Sequence, residues 1–581
     1  MTKQETPRPD KFAIAAALQE IAALMELKGG QNRFKAKAYN AGARSIQGVA
    51  NLEQLIAEDR LTSLPRIGGA LASQIKQLYF TGESSVLSGL REEFPAGVVE
   101  LSAVPGLSLS KIKQLYEELG IKSIAELEAA AEAGQLRNLK GFGAKTEERL
   151  LELIRSKSEK PSPRLHLHHA INVANNVIEF LKSNKNVIAV SIAGSLRRWV
   201  ETVGTIDLVV NTKNPSAVQK HLLRFPLIAS SESQDEDSVA LQLVDGARVV
   251  VTFASPETYA LALLVKTGSD KHLQRLQQIA TANKITLGVL KGRSKQNNRV
   301  VDEEVALYRQ LKMQFVPPEL REDEGEIEAA LAGNLPEDLL TLGDIRGMVH
   351  CHTTYSDGKN SLEEMVLAAE AMGMQYITIT DHSPTAFYAN GLSIDRLERQ
   401  WEEIDEIQER VKIKILRGTE SDIVASGALD YPDRILEKFD VIVASIHSRY
   451  KMDKQKMTDR IVTAMRQPVF KVWGHALGRL LERRPPFECD VERILDVIAE
   501  SKAAVEINGD PYRLDLEPRW VREARKRKIK FVISVDAHST GALFNLQYGV
   551  RMARRGWVRR GEVLNTLTPT AFAKSVRPTI R

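Results

Sequence analysis

The sequence predicts a multidomain chain with an N-terminal all-α region, a middle α+β region and a C-terminal distorted (β/α)7 barrel. A length of 581 residues is too great for one hydrophobic core, so several domains are expected. Near the N-terminus, "FAIAAALQEIAALMEL" has the apolar spacing of a helix. Towards the C-terminus, seven short apolar strands each precede a helical stretch, which is the pattern of a closed or nearly closed parallel barrel.

Two breaks in this pattern divide the regions. Residues 155–164, "RSKSEKPSPR", are rich in Ser, Pro and Lys and have no apolar periodicity, which is typical of a linker. Pro317 and Pro318 precede an acidic stretch and mark the second break. The predicted domains are a helical domain over 1–82, a tandem helical-hairpin region over 83–155, an α+β domain over 165–318, a linker over 319–339 and the barrel domain over 340–581.

The composition is that of an ordinary globular protein, with 43% hydrophobic and 27% charged residues. No apolar run approaches the ~20 residues of a membrane span, and the polar N-terminal stretch lacks a signal-peptide core. Because Cys351 and Cys489 are the only cysteines, disulfides are not the framework, and we expect a cytoplasmic chain. The net charge of +5 permits nucleic-acid binding.

Three glycine-rich turns in the first region each open a helix: "LPRIGGALASQI", "VPGLSLSKIKQL" and "LKGFGAKTEERL". Such a turn leaves free backbone N–H groups, which hold a phosphate together with the helix dipole and read no base sequence. Each turn resembles a helix-hairpin-helix motif, with Arg66 and Ser108 at two of the usual glycine positions. Plain helix–helix turns are the alternative. The resemblance implies DNA-backbone contacts at Gly68, Gly106, Gly141 and Gly143.

The middle region contains "GSLRRWVETVGTIDLVV" (194–210), which offers backbone donors, a hydroxyl and two guanidinium groups to a triphosphate. This stretch resembles the family X DNA polymerases, and the resemblance continues through "SPETYALALLVKTGS". It covers about the first 320 residues and implies a palm and thumb of the polymerase beta type. The nucleotide-binding positions that it implies are Ser195, Arg198 and Gly268.

The carboxylates that nucleotide transfer requires are incomplete. The family holds two magnesium ions with three aspartates, and the resemblance places these positions at Thr205, Asp207 and Val250. Asp207 alone is a carboxylate, since a threonine hydroxyl is neutral and valine offers no oxygen. Asp245 lies in "VDGA", whose Asp-Gly pair predicts a hairpin turn. We therefore expect Asp207 to be a remnant, magnesium binding to be lost here and DNA synthesis to be absent.

Other positions of the resemblance are altered too. Trp199 replaces a glycine after the arginine pair, and Val265 and Lys266 stand where an aromatic pair packs against the sugar. Gln74 occupies the position of the Schiff-base lysine that some relatives use as a lyase nucleophile, and an amide cannot form a Schiff base. Lys76, two positions on, points elsewhere on the helix. We expect no sugar-phosphate lyase activity.

The C-terminal region concentrates imidazole and carboxylate groups at the ends of predicted strands. His350 and His352 lie two apart on one strand and face the same way, with Cys351 facing into packing. Six of the eleven histidines of the chain lie at such strand ends. In a βα barrel these ends open onto one face, where side chains distant in sequence converge. The candidate ligands are His350, His352, Asp357, His382, Glu420, His447, His475, Asp536 and His538.

These segments resemble the PHP domain, a metal phosphoesterase that bacterial family X polymerases often carry at this end. The resemblance implies three divalent ions, for which manganese, zinc and iron all suit the imidazole-rich ligands. The first ion would take His350, His352, Glu420 and Asp536; the second Glu420, His447 and His475; the third Asp357, His382 and His538. Such ions supply hydroxide for attack on phosphorus near neutral pH. Arg449 and Arg479 are candidate phosphate clamps, and Asp381 is a candidate to orient His382.

These observations predict a DNA-repair enzyme. The polymerase-like part would bind gapped, damaged or 3′-end DNA, and the PHP part would hydrolyse DNA phosphoesters as a 3′-to-5′ exonuclease, with abasic-site cleavage and 3′-phosphate removal open. Two alternatives are kept. One is residual nucleotide transfer built on Asp207 and another acid; the other is a non-catalytic DNA-binding scaffold with a structural metal cluster. We expect a monomer in the cytoplasm, associated with the nucleoid and not with a membrane.

Overall fold

A computed structural model describes residues 9, 11–47, 49, 52–94, 98–102, 104, 107–159, 164–235, 237–285 and 304–578. The chain divides into two compact units. The first comprises Met1–Leu165, His169–Ile192 and Gly204–Tyr259, and the second comprises His166–His168, Ala193–Val203 and Ala260–Arg581.

The first unit begins with the predicted all-α region. Its helices are α1 (Lys11–Lys28), α2 (Asn32–Gln47), α3 (Leu52–Ala57), α4 (Gly69–Thr81), α5 (Ser85–Glu93), α6 (Val98–Leu101), α7 (Leu109–Leu119), α8 (Ile124–Glu132) and α9 (Ala144–Glu159). Helix α9 continues to Glu159, past the predicted linker start at residue 155. Ser108, at a glycine position of the second hairpin, caps α7 by accepting a hydrogen bond from the backbone N–H of Lys111. The sequence signal for a turn before a helix is therefore confirmed there.

The α+β region follows, with β1 (Leu165–His166), α10 (Leu167–Lys182), β2 (Val187–Ile192), α11 (Gly194–Arg197), β3 (Thr202–Val203), β4 (Ile206–Thr212), α12 (Pro215–Leu222), β5 (Ile228–Asp235), β6 (Ser238–Leu243) and β7 (Arg248–Ala254). Strands β1 and β3 pair with each other. The other five form a sheet in the order β2-β4-β7-β6-β5, in which β4 and β7 are parallel and the remaining neighbours are antiparallel.

The second unit contains the helices α13 (Tyr259–Thr267), α14 (Asp270–Ala282), α15 (Glu304–Gln310) and α16 (Glu326–Leu331). One hydrophobic core joins Leu264 and Leu276 to Leu320, Ile327 and Leu339. The segment 319–339, which the sequence indicated as a linker, is therefore folded, because its apolar side chains are buried against the preceding helices. Two of its acids, Glu319 and Glu326, are buried as well and pair with Arg554 and His272, which its acidic composition did not indicate.

The barrel follows as predicted, with strand and helix alternating. Its elements are β8 (Gly347–Cys351), α17 (Leu362–Ala371), β9 (Tyr376–Ile379), α18 (Ile394–Gln408), β10 (Lys414–Asp422), α19 (Asp433–Leu436), β11 (Val441–Ser445), α20 (Lys454–Arg466), β12 (Lys471–Trp473), α21 (Val491–Glu500), β13 (Ala503–Asn508), α22 (Pro518–Lys526), β14 (Phe531–Ser534), α23 (Leu546–Arg555) and α24 (Pro569–Val576).

The seven barrel strands form a parallel sheet in the order β14-β13-β12-β11-β10-β9-β8. The ring is nearly closed because Ala537, beyond β14, exchanges backbone hydrogen bonds with His350 and His352 at the end of β8. Apolar residues from each strand pack with Phe572 of α24, away from the polar strand ends. In the described part of the chain, no helix is long and apolar enough to cross a membrane.

Candidate metal centre

The nine predicted ligand residues lie at or just beyond the carboxyl ends of barrel strands. His350 is in β8, Glu420 is in β10, and the other seven follow the ends of β8, β9, β11, β12 and β14. The backbone of His350 is left-handed, with φ of 65°, and the β8–β9 register shifts there. Pairing with β9 resumes at Cys351, and His350 and His352 both reach Glu420 and Asp536.

Glu420 lies at the middle of the cluster. Its Oε1 atom is 2.8 Å from Nε2 of His475 and 3.2 Å from Nε2 of both His350 and His447. Its Oε2 atom is 3.1 Å from Nδ1 of His382. Nε2 of His352 is 3.5 Å from the same Oε2 atom, so one carboxylate reaches five imidazoles, as a ligand shared between neighbouring cations would.

Two further carboxylates complete the cluster. Asp536 Oδ1 is 3.2 Å from Nε2 of His352 and 3.5 Å from Nε2 of His350. Asp357 Oδ1 is 3.2 Å from Nε2 of His538 and 3.6 Å from Nε2 of His382. Three sets of side chains have ligand atoms within 4.8 Å of one another: His350, His352, Glu420 and Asp536; His352, Asp357, His382 and His538; and His382, Glu420 and His447.

Buried polar atoms of this cluster have no hydrogen-bond partner among the described residues. They include Nε2 of His350, both ring nitrogens of His352, Nδ1 of His382, Oε2 of Glu420, Nδ1 of His475 and Oδ1 of Asp536. Leaving one buried polar group unsatisfied costs about 1–3 kcal/mol. So many in one cavity fit divalent cations, which take imidazole and carboxylate ligands together. The residues present therefore suit the metals that the sequence predicted.

Charges inside the cluster shift the pKa values of its members. Burial opposes ionisation of Glu420, but His447 and His350 hold its pKa well below the ordinary value. Burial also opposes ionisation of Asp536, and the neighbouring His350 holds its pKa well below the ordinary value. Burial lowers the pKa of His382 to about 4, so its imidazole is neutral. Although burial opposes it, Glu420 raises the pKa of His447 to about 10, so a metal that binds this imidazole must displace its proton.

Two carboxylates that the sequence analysis did not predict, Glu506 and Asp422, contact ligand imidazoles at the ring nitrogens that do not face Glu420. Glu506, on β13, has one oxygen 2.6 Å from Nδ1 of His350 and accepts a hydrogen bond from the backbone N–H of His475. Asp422, at the end of β10, is 3.0 Å from Nδ1 of His447. Such contacts fix which imidazole nitrogen faces the metal. For Glu506, the sequence signal that could have predicted this role was a single acid within the largely apolar strand "AAVEIN".

The arginines of this face have different surroundings. Arg479, a predicted phosphate clamp, is nearly buried; its guanidinium donates to the carbonyl of Arg513 and pairs with Glu517 and Glu201. Its donors are taken up within the protein, so we assign it a structural role instead. Arg449 is exposed just after His447 and stays a predicted clamp. Arg513, which the sequence analysis missed, has Nε 3.3 Å from Asp536 Oδ2.

Asp381 and Cys351 are both buried. The Asp381 carboxylate accepts hydrogen bonds from the backbone and hydroxyl of Thr353 and from the side chain of Gln400. It therefore stabilises the loop that contains Asp357, and not the ring of His382 as we expected. Cys351 is fully buried and burial raises its thiol pKa, as expected of a packing residue.

In the first unit, the polymerase-type positions lie on neighbouring parallel strands. The register pairs Asp207 of β4 with Val250 of β7, and Thr205 immediately precedes β4. Val250 is only 7% exposed. Asp245 lies in the β6–β7 turn, as expected, where it accepts a hydrogen bond from Ala247 and is 3.4 Å from His169. The face beside Asp207 therefore presents an apolar side chain where a second carboxylate would be needed.

The predicted nucleotide positions belong to the second unit. Ser195 lies in α11, and Arg198 follows that helix. The guanidinium of Arg198 is 2.8 Å from Glu322 and 2.7 Å from the carbonyl of Thr267. Gly268 packs closely, since a Cβ there would lie 2.9 Å from Leu273. Nucleotide binding at these residues stays a prediction, and the structure gives Arg198 and Gly268 internal contacts.

Three of the predicted DNA-contacting glycines are described, and Gly106 lies outside the described residues. A Cβ at Gly68, Gly141 or Gly143 would meet nothing within 4 Å, so internal packing does not demand glycine there. Gly141 is left-handed with φ of 85°, and Arg66, at the matching position of the first hairpin, is also left-handed. Open space beside a helix start leaves room for a phosphate backbone.

Gln74, at the position where some relatives have a lyase nucleophile, makes a side-chain hydrogen bond within the first unit. Gln74 Oε1 accepts a hydrogen bond from Ser84, whose hydroxyl caps α5. Lys76 pairs with Asp59. The side chain at position 74 therefore has a structural partner and no amine.

Comparison with known proteins identifies these parts. The chain matches the models of a helix-hairpin-helix domain over 9–84 and a SAM-like helix-hairpin-helix tandem over 98–156. It also matches the DNA polymerase beta thumb over 262–322 and the PHP domain over 349–510. Hairpin domains, a polymerase-type thumb and a histidine-rich barrel define a polymerase beta-type protein with an appended PHP domain.

Relatives extend the match to nearly the whole chain. A Bacillus subtilis protein named DNA polymerase/3′-5′ exonuclease PolX is 34% identical over 96% of this chain and 97% of its own length. A probable phosphatase of Caldanaerobacter subterraneus is 27% identical over 32% of this chain and 74% of its own length. One of Caldicellulosiruptor bescii is 30% identical over 30% of this chain and 68% of its own length. The chain belongs to the family X DNA polymerases that carry a C-terminal PHP domain.

Proposed function

We propose that the PHP domain hydrolyses DNA phosphoesters as a 3′-to-5′ exonuclease, while the hairpin domains bind the DNA backbone at gaps, ends or damaged sites. The observation that carries the proposal is the cluster of eight imidazoles and carboxylates in the three ligand sets, with His475 in contact with Glu420 and with unpartnered buried atoms. The printed names of the relatives, a DNA polymerase/3′-5′ exonuclease and probable phosphatases, both include hydrolysis of phosphoesters. Three divalent ions (manganese, zinc or iron) would occupy the three sets of ligands.

Bound cations would supply hydroxide near neutral pH and neutralise the phosphate charge. The protein's own part is positioning. Glu506 and Asp422 hold the rings of His350 and His447 by their Nδ1 atoms, so that the Nε2 atoms face Glu420. Arg449, which is exposed two residues after His447, is our candidate to contact a phosphate oxygen. We expect no protein nucleophile.

The proposal is tested with a 5′-labelled single strand and a recessed primer–template, incubated with Mn²⁺ and analysed on a denaturing gel. The wild type should shorten the labelled strand in single-nucleotide steps, and both EDTA and His350→Ala should abolish the ladder. His221→Ala is the matched control, because His221 stacks on Phe180 outside the barrel. DNA that is bound but left intact would instead support the scaffold alternative. Duplexes with an abasic site or a 3′-phosphate distinguish the other two activities.

We also propose that nucleotide transfer is lost. The proposal rests on Val250, which is the strand partner of Asp207 and has no oxygen to bind magnesium, and on Asp245, which is held in a turn beside His169. Two magnesium ions beside a triphosphate need several carboxylates to hold them.

We expect no incorporation of labelled dNTP by this chain with Mg²⁺ or Mn²⁺. The assay should use the His350→Ala protein, so that exonuclease cleavage does not remove added nucleotides. Incorporation that disappears on the further change Asp207→Ala would contradict the proposal and establish residual transfer. The absence of incorporation in both proteins agrees with it.

A further inference from the structure

Two large aromatic side chains are exposed on the loop that follows the candidate ligand His382. Phe387 is 86% exposed and Tyr388 is 68% exposed, and both belong to a short 3₁₀ helix in the loop that starts at His382. The ring of Tyr388 lies 6.2 Å from the rings of both His382 and His447. Exposed aromatic rings beside a candidate site offer flat apolar faces on which a ligand ring can stack.

The loop that presents these rings is fixed at its base. The backbone N–H of Leu392 donates to the carbonyl of His382, and the hydroxyl of Tyr431 donates to the carbonyl of Leu392. Thr385 donates its N–H to Asp430. Gly391 closes the turn so tightly that a Cβ there would lie 1.9 Å from the carbonyl oxygen of Ser383.

The outer half of the loop is tied down as well. The guanidinium of Arg396 donates to the carbonyls of Asn390 and Gly391. Asn390 is left-handed and directs the chain back towards the barrel. The exposure of the two rings is therefore a property of an ordered loop, and the loop begins at one of the predicted ligands.

We propose that Phe387 and Tyr388 form a stacking platform for the unpaired base at the 3′ end of a single strand, so that the centre selects frayed or single-stranded ends. This rests on the proposed hydrolysis. When a scissile phosphate occupies the centre, the base of its nucleotide lies one sugar away, and the Tyr388 ring is within 6.2 Å of two candidate ligand rings. Every base has an aromatic face, so such a platform is tolerant of sequence. A base inside a duplex is already stacked and paired, and would have to leave the helix first.

The test compares two 5′-labelled single strands that differ only at the 3′ terminus, which is thymidine in one and an abasic tetrahydrofuran residue in the other. The measured quantity is the ratio of kcat/KM for the base-bearing end to that for the abasic end, with Mn²⁺. For the wild type we expect a ratio of about 10 or more, because stacking on an aromatic side chain contributes about 1–3 kcal/mol per base. Tyr388→Ala and Phe387→Ala should bring the ratio towards 1.

Two variants serve as controls. Tyr388→Phe keeps the ring and should keep the ratio, which separates stacking from a role of the hydroxyl. Leu367→Ala removes another exposed apolar side chain of the barrel domain, on α17, and should also keep it. A wild-type ratio near 1, or an unchanged ratio in Tyr388→Ala, would overturn the platform while leaving hydrolysis established. Cleavage of neither strand by the wild type would overturn both proposals.

Discussion

The change Glu420→Gln should reduce hydrolysis of single-stranded DNA by on the order of 10³-fold, because it removes a charge that reaches five imidazoles. Cation stabilisation of a phosphoryl transition state amounts to several kcal/mol, and each 1.36 kcal/mol is tenfold in rate. The measurement is kcat/KM with Mn²⁺, together with the metal content of the purified protein by mass spectrometry.

Glu402→Gln is the matched control for Glu420→Gln, since Glu402 is exposed on α18. The midpoint of thermal unfolding adds a second readout. Added Mn²⁺ should raise it in the wild type by mass action and should raise it much less in Glu420→Gln. Full activity and undiminished metal content in Glu420→Gln would show that this carboxylate is not a shared ligand.

The change Glu506→Gln should lower Mn²⁺ affinity by about 10- to 100-fold, which is the usual range for a group that orients a metal-binding imidazole. Glu506 is fully buried, and its oxygens contact His350, Ser534 and Asn508. An amide keeps the volume but loses the charge and brings a donor to a site that requires acceptors. The measurement is DNA hydrolysis as a function of Mn²⁺ concentration.

Excess Mn²⁺ should restore much of the activity of Glu506→Gln, because a change at a positioning residue weakens metal binding without removing a ligand. Glu500→Gln, at the exposed end of α21, is the control. A loss of activity that no metal concentration relieves, accompanied by a lower unfolding temperature in EDTA, would indicate a purely structural role for Glu506.

The sequence by itself located the candidate metal centre. The carboxyl ends of consecutive parallel strands meet on one face, so His350, Glu420 and Asp536 could be grouped from their places at predicted strand ends. Loss of the palm carboxylates could also be predicted, because the side chain of Val250 has no oxygen in any conformation. These conclusions depend only on residue type and on strand periodicity.

The tertiary structure decided which neighbours surround those residues. Glu506 contacts His350, which lies 156 residues earlier in the sequence, because closure of the barrel brings β13 towards β8. Arg479 looked like a phosphate clamp, but packing gives its guanidinium Glu517 and Glu201. Periodicity does not report contacts between distant segments, which depend on how the strands curl and close.

The same distinction applies to the loops and to the segment before the barrel. Sequence composition marked 319–339 as a linker, whereas burial of Ile327 and Leu339 makes it part of a core. Nothing in the sequence distinguishes Phe387 and Tyr388 from aromatic residues of a core. The tight turn at Gly391 and the bonds from Arg396 hold them outward, because the path of a loop follows from backbone hydrogen bonds and not from hydrophobicity.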